Sequence, residues 1–519
     1  MNRILFGLLL SFFAYSKLAA QAPSIQWAKC FGGTSYDLAN DVVQMTNGNF
    51  MICGYALSDD GDVVGNHLQS AEAWLLKVDS LGNILWSKCF GGTSSESAHS
   101  IKQTSDGGFI FAGYASSLDG DVVGLHGWED YWVVKIDSIG SIQWQKCLGG
   151  TRDDAAVDII LADGGGYVVT GNSDSNDGDV TGNHNHDHWV VKLDSVGNLE
   201  WQKALGSTGW DDAWSIISTG TGYLEIGDAG DNSGDVTGFH DSTANSDGWV
   251  ACLNDTGHLV WERCYGGTYL DGAVGGIKLS DGNYFIAGGT DSNDGDISGL
   301  IGDNDMFLLK IDSIGNIIWQ KCYAQLFEYP NGISPTSDGG LVAAGVTGSN
   351  TCGHGNVDDF WVIKIDSSGN MQWSKCMGGY DDEEANSVKQ TRDGGYIVAG
   401  WTTSSSGDVT GLHSIMTEDY WVVKLGPAPV DVSETGSPLT DFSAHFEESG
   451  DVSIGFYANG NEQAVLQIED LAGRVIFRNI LPVKSGYNDL ELYPGDISCG
   501  LYFIILDVND TKLVKKVYK

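Results

Sequence analysis

Basic residues are scarce. Only 27 Lys and Arg stand against 69 Asp and Glu, a formal net charge of −42. Residues 1–20 contribute +2 and residues 436–519 contribute −5, which leaves −39 on residues 21–435. A field of that sign disfavours nucleic acid and anionic membrane as partners, and favours divalent cations and solvation outside the cell. Arginine is scarcer still: Arg152, Arg263 and Arg392 are the only ones between residues 21 and 426. Long apolar runs are also missing. After residue 20 no stretch approaches 18 apolar residues, so no transmembrane segment is expected. Sustained helical periodicity is absent from the same region, which points to an all-β chain.

What is present is a repeat. Trp-x-Lys/Arg-Cys, with Ala204 in one copy's Cys slot, recurs at Trp27, Trp86, Trp144, Trp201, Trp261, Trp319 and Trp373, at gaps of 59, 58, 57, 60, 58 and 54 residues. A fixed period of this length marks units that bury their apolar faces only against their neighbours. Within one unit, short β-branched and aromatic runs are split by tight turns such as Asp106-Gly107-Gly108 and Asp137-Ser-Ile-Gly140. Four antiparallel strands per repeat is the grammar of a propeller blade, and seven copies predict a seven-bladed β-propeller over residues 21–426. The last copy ends at Gly426 without a fourth strand, while the chain after residue 20 begins with an orphan one, Ser24–Phe31. Pairing the two would close the ring and hide a sheet edge.

Residues 1–20 read as a secretory signal peptide: Arg3, an apolar run from Ile4 to Tyr15, and a small-residue exit at Ala19-Ala20. Six of the ten cysteines (Cys30, Cys89, Cys147, Cys264, Cys322 and Cys376) occupy one equivalent strand position. Equivalent outer-strand atoms of neighbouring blades should exceed the roughly 7 Å Cα limit for bridging, so these read as small buried hydrophobes. Cys53, Cys252, Cys352 and Cys499 show no obvious mates. In the fourth repeat Cys252 replaces the recurring Lys (Lys192 in the third copy) and Asn254 replaces the recurring Asp (Asp194), which suggests one structural electrostatic unit and marks those residues as scaffold, not site.

Glycine punctuation stops at Gly426, a linker covers 427–438, and residues 439–519 read as a small β-sandwich from their alternation and turn spacing. There Asp470-x-x-Gly473-Arg474, Gly486-x-Asn488, Gly500-x-Tyr502 and Lys515-Lys516-Val occur in order. This order resembles the C-terminal sorting domain of type IX secretion cargo of Bacteroidetes, although the Asn-Pro pair usual near that domain's start is missing. The resemblance implies export by the type IX machinery to the cell surface or medium. The repeats themselves resemble a secreted bacterial β-propeller repeat, matched here by Asp130, Trp132, Lys135, Asp137, Gly140, Trp144, Gly149 and Gly150. That resemblance implies a fold and says little about activity.

The tight turns share one face of the disc, and the long, variable connections share the other, where a ligand is expected. The most repeated element of that face is Asp-Gly-Asp-Val-x-Gly-x-His, at Asp60/Asp62, Asp119/Asp121, Asp177/Asp179 and Asp294/Asp296, with degraded copies at Asp235 and Asp408. Two carboxylates flanking a glycine can reach one calcium ion; the alternative is turn chemistry, with Asp capping backbone N–H groups. His184, His186 and His188 alternate in one such loop and offer a weak zinc pattern beside the more ordinary solvated loop. The sixth copy has lost both Gly-Gly-Thr and Asp-Gly-Asp, and its Tyr323, Phe327 and Tyr329, with Trp128 and Trp210 elsewhere on the face, are candidates to stack on sugar rings. The expected function is a non-enzymatic surface module for a glycan or protein ligand, needing no cofactor beyond possible calcium. The alternatives are a sialidase-like glycan-cleaving propeller, which would want an arginine cluster in the central channel, and a purely structural surface-layer protein.

Overall fold

The computed structural model describes residues 21–519 except 68–69, 241–245, 303, 324–327, 349–351, 356, 416, 429–438, 448–449, 459–461, 471–473, 496, 499 and 509–510. The expected signal peptide, most of the linker, Phe327, Gly473 and Cys499 lie outside the described residues. The chain divides into two compact units, Met1–Pro429 and Val430–Lys519. All helical and strand structure among the described residues is β-strand.

The first unit is built from seven four-stranded antiparallel sheets. In the first, an inner strand Asp37–Gln44 pairs with Phe50–Ala56, then Glu72–Val78, then an outer strand Ile84–Phe90. The next five repeat this order. The seventh (Glu383–Gln390, Tyr396–Thr402, Asp419–Leu425) takes its outer strand from the N-terminus: Ile25–Phe31 pairs with Asp419–Leu425, Cys30 opposite Trp421.

Second and third strands are apolar on both faces because both faces are covered by neighbouring sheets. Trp74, Trp132, Trp189, Trp249 and Trp421 are fully buried there, each worth roughly 1.5–3 kcal/mol of transfer free energy or more. Each core joins two consecutive sheets. The core holding Phe50, Ile52 and Trp74 also holds Ile397, Ala399, Tyr420 and Val422 of the seventh sheet, and the Tyr420 hydroxyl donates to the Trp74 carbonyl at 3.1 Å.

The signature Trp-x-Lys docks each outer strand onto the following sheet. Trp27 Nε1 donates to the Ser80 carbonyl at 3.0 Å and Lys29 Nζ to the Gly82 carbonyl at 2.8 Å. Gly82 lies at φ 76° with its α-carbon against the Trp27 ring, so the turn needs glycine both for its backbone and for its lack of a side chain. This contact explains why Trp, Lys and the turn glycine recur together.

The single electrostatic unit expected of Lys192 and Asp194 is divided in the fold, each residue taking its own structural partner. The third-strand lysines reach the acid of the inner-to-second turn instead, as in Lys135–Asp106, Lys364–Asp338 and Lys424–Asp393 at 2.8, 2.8 and 3.0 Å, while Lys192 itself takes Glu200 at 2.7 Å. Asp194 caps its own turn, accepting Val196 and Asn198 N–H groups, and Asn254 does the same for Thr256 and His258. Asn254 therefore preserves the acid's job. The cysteine reading also needs correction. Cys30, Cys89, Cys147 and Cys264 are free and buried, but Cys376 forms a disulfide with Cys352, their Cα atoms 5.5 Å apart. The partner comes from a loop of the same repeat, which a comparison of equivalent strand positions cannot reveal.

The second unit packs a three-stranded and a four-stranded sheet on one core that includes Val452, Ile454, Phe456, Leu466, Ile468, Ile504 and Leu506. Its recurring residues form turns and one basic strand. Arg474 closes on Asp470 with Nε at 2.7 Å, Asn488 exchanges hydrogen bonds with the Lys484 backbone, and the Tyr502 hydroxyl donates to the Ser498 carbonyl. Gly486 opens a strand paired to Val452–Ala458, Gly500 N donates to the Lys519 carbonyl, and Lys515 and Lys516 are exposed on the last strand.

Candidate functional site

The face built from the long connections is organised by hydrogen bonds before any ligand is considered. In four repeats the first acid of Asp-Gly-Asp accepts the backbone N–H and hydroxyl of the preceding Gly-Gly-Thr. Thr34 bonds Asp60, Thr93 bonds Asp119, Thr151 bonds Asp177 and Thr268 bonds Asp294, with N–H distances of 2.7–2.8 Å. The degraded copies keep the N–H bond on a serine: Ser233 Oγ takes Thr208 N–H at 2.9 Å while Asp231 accepts the Thr208 hydroxyl at 2.9 Å, and Ser406 Oγ takes Tyr380 N–H at 3.0 Å. The intervening glycine is forced. Gly61 lies at φ 64° with its α-carbon over the Gly32 carbonyl. The second acid donates its backbone N–H to that carbonyl, as Asp62 does to Gly32 at 2.8 Å, and the same bond recurs at Asp121, Asp179 and Asp296. The carboxylates of Asp62 and Asp296 lie 3.6 Å from His413 and His240 of the preceding sheet.

The terminal His of the motif turns inward. His67, His126, His184, His240, His354 and His413 each set Nδ1 against a fully buried carboxylate at the start of the third strand, respectively Glu72, Asp130, Asp187, Asp247, Asp359 and Asp419. Burial holds all six carboxyls above the usual range, and their histidines offset it. A second set opens the inner strands. Asp37, Asp154 and Asp271 are pushed up to about 6 and Glu383 to about 7 by burial, although each accepts a backbone N–H and nearby hydroxyls. Sequence reading missed both sets because an acid at a strand edge looks like a solvated turn residue.

Against this common scaffold the third repeat stands out. His184, His186 and His188 do not converge on one point. His184 faces Asp187, while His186 bridges Asp174 at 2.5 Å and Asp212 at 3.1 Å. His188 is wholly buried on Glu225 at 2.5 Å; burial works against its charge, but Glu225 lifts its pKa to about 9. A polar groove of about 390 Å³ opens between these loops, lined by Thr151, Arg152, Asp174, Asn176, Asp177, Asn183, His184 and Asn185. Two exposed tryptophans lie outside its lining, on loops bridged to its neighbours. Trp128, 73% exposed, adjoins Glu129, which bridges to Asp153. Trp210, 67% exposed, bridges to His186 and stacks on its ring at 4.7 Å. His186, fixed between two carboxylates, thereby fixes the indole plane.

The sixth-repeat aromatics go elsewhere. The Tyr323 ring packs on a core and its hydroxyl donates to the Gly369 carbonyl at 2.7 Å, repeating the bond of Tyr265 to Gly315. It is scaffold. Tyr329 belongs to the inner strand Glu328–Pro335, packs on Gly289 and lines a central channel instead of an outer loop.

That channel, about 690 Å³, is lined by the inner strands of all seven sheets. Every inner strand carries a register shift at the same place, for example between Ala39 and Asp41 and between Ala98 and Ser100. Such a bulge turns side chains into the bore. Asn40, Asn331 and Asn386 and the His99 ring reach the carbonyl of the next sheet's alanine. Below them Asp41 binds Lys102 and Lys389, both at 3.5 Å, and Lys102 binds Asp158 at 3.4 Å. Burial would raise the Asp41 pKa, but the two lysines hold it down at about 2. Trp214, Gly275, Gly276 and Ile333 form the uncharged side. None of Arg152, Arg263 and Arg392 lines the bore: Arg392 bonds the Thr46 carbonyl and Arg263 the Glu262 carbonyl.

No family model matches this chain. Regulatory protein FlaEY of Caulobacter vibrioides is 25% identical over 192 residues, an alignment taking in 33% of this chain and 19% of that protein. Among solved structures, Sqt1 from Chaetomium thermophilum aligns with 79% of this chain and all of its own at 12% identity and a TM-score of 0.41. A puromycin hydrolase aligns with 85% of this chain and 61% of its own, at 10% identity and a TM-score of 0.41.

Proposed function

We propose that the first unit is a seven-bladed β-propeller closed by its N-terminal strand, and that it is a non-enzymatic binding module for an extracellular glycan. The observation that carries the reading is the groove of the third repeat. Two exposed indoles, Trp128 and Trp210, stand on loops joined to a floor of asparagines, Thr151, Arg152, His184 and the carboxylates Asp174 and Asp177. Apolar sugar faces stack on indoles while hydroxyls exchange hydrogen bonds with amide and charged side chains. We read the Asp-Gly-Asp loops as clamps and not calcium sites, because the first acid is taken up by the threonine N–H and hydroxyl, and Ser406 supplies the N–H bond without charge.

Secretion through the sorting-domain resemblance of residues 439–519 belongs to the same proposal. It would place the groove outside the cell, where the charge of −39 on residues 21–435 favours solvation. The test is a glycan array probed with the full chain, with parallel analysis of incubated glycans for cleavage products. Retention of a glycan class without products supports the reading. Products would revive the glycan-cleaving alternative, and a blank array would favour a protein ligand or a structural role.

A further inference from the structure

The sixth repeat has lost the clamp that fixes its long loop, and in its place it carries two sulfurs. Cys352 lies in the connection between Leu341–Thr347 and Asp359–Ile365, and Cys376 lies in the outer strand Met371–Met377, opposite Trp361. Their Sγ atoms and a carboxylate oxygen of Asp359 all fall within 4.8 Å of one another. Asp359 has a fully buried side chain, its Oδ1 is held by His354 Nδ1 at 2.9 Å, and its Oδ2 has no hydrogen-bond partner among the described residues. Asp187, Asp247 and Asp419 share that orphan oxygen, so by itself it belongs to the scaffold. Among the described residues, only the sixth repeat sets a pair of cysteines beside it; Cys30 and Cys264 are lone thiols near their carboxylates.

We propose that when the Cys352–Cys376 disulfide is reduced, Cys352, Cys376 and Asp359 hold one zinc-type divalent ion. Two thiolates with a carboxylate suit a soft-to-borderline d¹⁰ cation, and His354 orients the carboxylate as an outer-shell partner. Tetrahedral bonds of about 2.3 Å need two sulfurs roughly 3.8 Å apart, so the two sulfurs, bonded to each other in the oxidised chain, must part on reduction to take the ion, beside an Asp359 oxygen already within 4.8 Å of both. The fourth position falls to water. The redox step balances simply: a dithiol reductant delivers two electrons and two protons, the S–S bond breaks to two thiols, and the reductant becomes its own disulfide. Ion binding then releases the two thiol protons. The loop is cross-linked in both states, by sulfur when oxidised and by metal when reduced.

Cobalt(II) is the probe, added to the full chain after anaerobic reduction and removal of reductant. The expected result is one cobalt per chain with thiolate-to-cobalt charge-transfer absorption, displaced by zinc. The oxidised chain should show no such absorption, and this comparison needs no variant to fold. Cys352→Ser should abolish the band, and Asp359→Asn should weaken binding at least tenfold. No charge-transfer band in the reduced wild type, an equal band in the oxidised chain, or an undiminished band in Cys352→Ser would each overturn the site and leave a structural disulfide.

Discussion

Asp177 decides between clamp and calcium in one substitution series. It accepts the Thr151 N–H at 2.8 Å and the Thr151 hydroxyl at 2.9 Å. Hydrogen bonds to a charged acceptor are worth about 1.5–3 kcal/mol each when well made, and less where solvent competes, so Asp177→Ala should cost about 2 kcal/mol in total. Unfolding entropy scales near 2.1 cal/mol/K per residue, so for a unit of about 400 residues this is a fall in melting temperature of about 2–3 °C. Asp177→Ser should cost under half of that, because Ser233 and Ser406 already make the bond in their own repeats. The assay is differential scanning calorimetry of the wild type and both variants, each with millimolar calcium and with chelator. A calcium site filled to tenfold excess would add about 1.4 kcal/mol. The clamp account predicts no chelator effect on any of the three. A chelator-sensitive wild type whose sensitivity vanishes equally in Ala and Ser would refute it.

The remaining predictions test the scaffold and the tail. Asp37, Asp154, Asp271 and Glu383 have pKa values raised by burial, so the native state binds more protons than the unfolded chain between about pH 4 and 7. Stability should therefore rise as pH falls from 8 to 5 and be lost as pH climbs through 6–7; Asp154→Asn should flatten part of that slope in thermal melts, and stability falling toward pH 5 would contradict the burial argument. Gly61→Ala places a side chain on the Gly32 carbonyl at a positive φ and should cost at least 1–3 kcal/mol by chemical denaturation, whereas Gly48→Ala, also at positive φ but in open space, should cost less. Deleting residues 437–519 should leave the propeller's melting transition intact and abolish surface delivery in a type IX host; surface display of the truncated chain would refute the sorting role.

The strand grammar was legible because each repeat states it again. The Trp-x-Lys period, the turn glycines and the spare strand Ser24–Phe31 all reflect one docking contact, seen at Trp27 and Gly82. The partners of charged residues were not legible. Lys135 takes Asp106 and not Asp137, because a pleated strand aims the lysine at the turn beyond its neighbour strand. Asp60 and its equivalents left calcium and turn chemistry both open, since sequence shows two acids but not the threonine 26 residues earlier that bonds one of them. The Cys352–Cys376 bridge hid for a related reason: equivalence across repeats describes what is common, and that bridge is peculiar to one. The groove was half legible. Trp128 and Trp210 were visible as exposed aromatics, but their connection to the groove-lining loops runs through the Glu129–Asp153 and His186–Trp210 bridges.

The most direct test of a glycan-binding groove is the same glycan array probed side by side with the wild type, a Trp128→Ala/Trp210→Ala double variant, and Tyr36→Ala as an exposed-aromatic control. Aromatic stacking and the area it buries are worth about 1–3 kcal/mol per ring in a well-formed site. The account predicts that the wild type and the Tyr36 variant retain the same glycan class with equal affinity, and that the double variant loses at least tenfold. Equal binding by all three, or no glycan retained by the wild type, would contradict it.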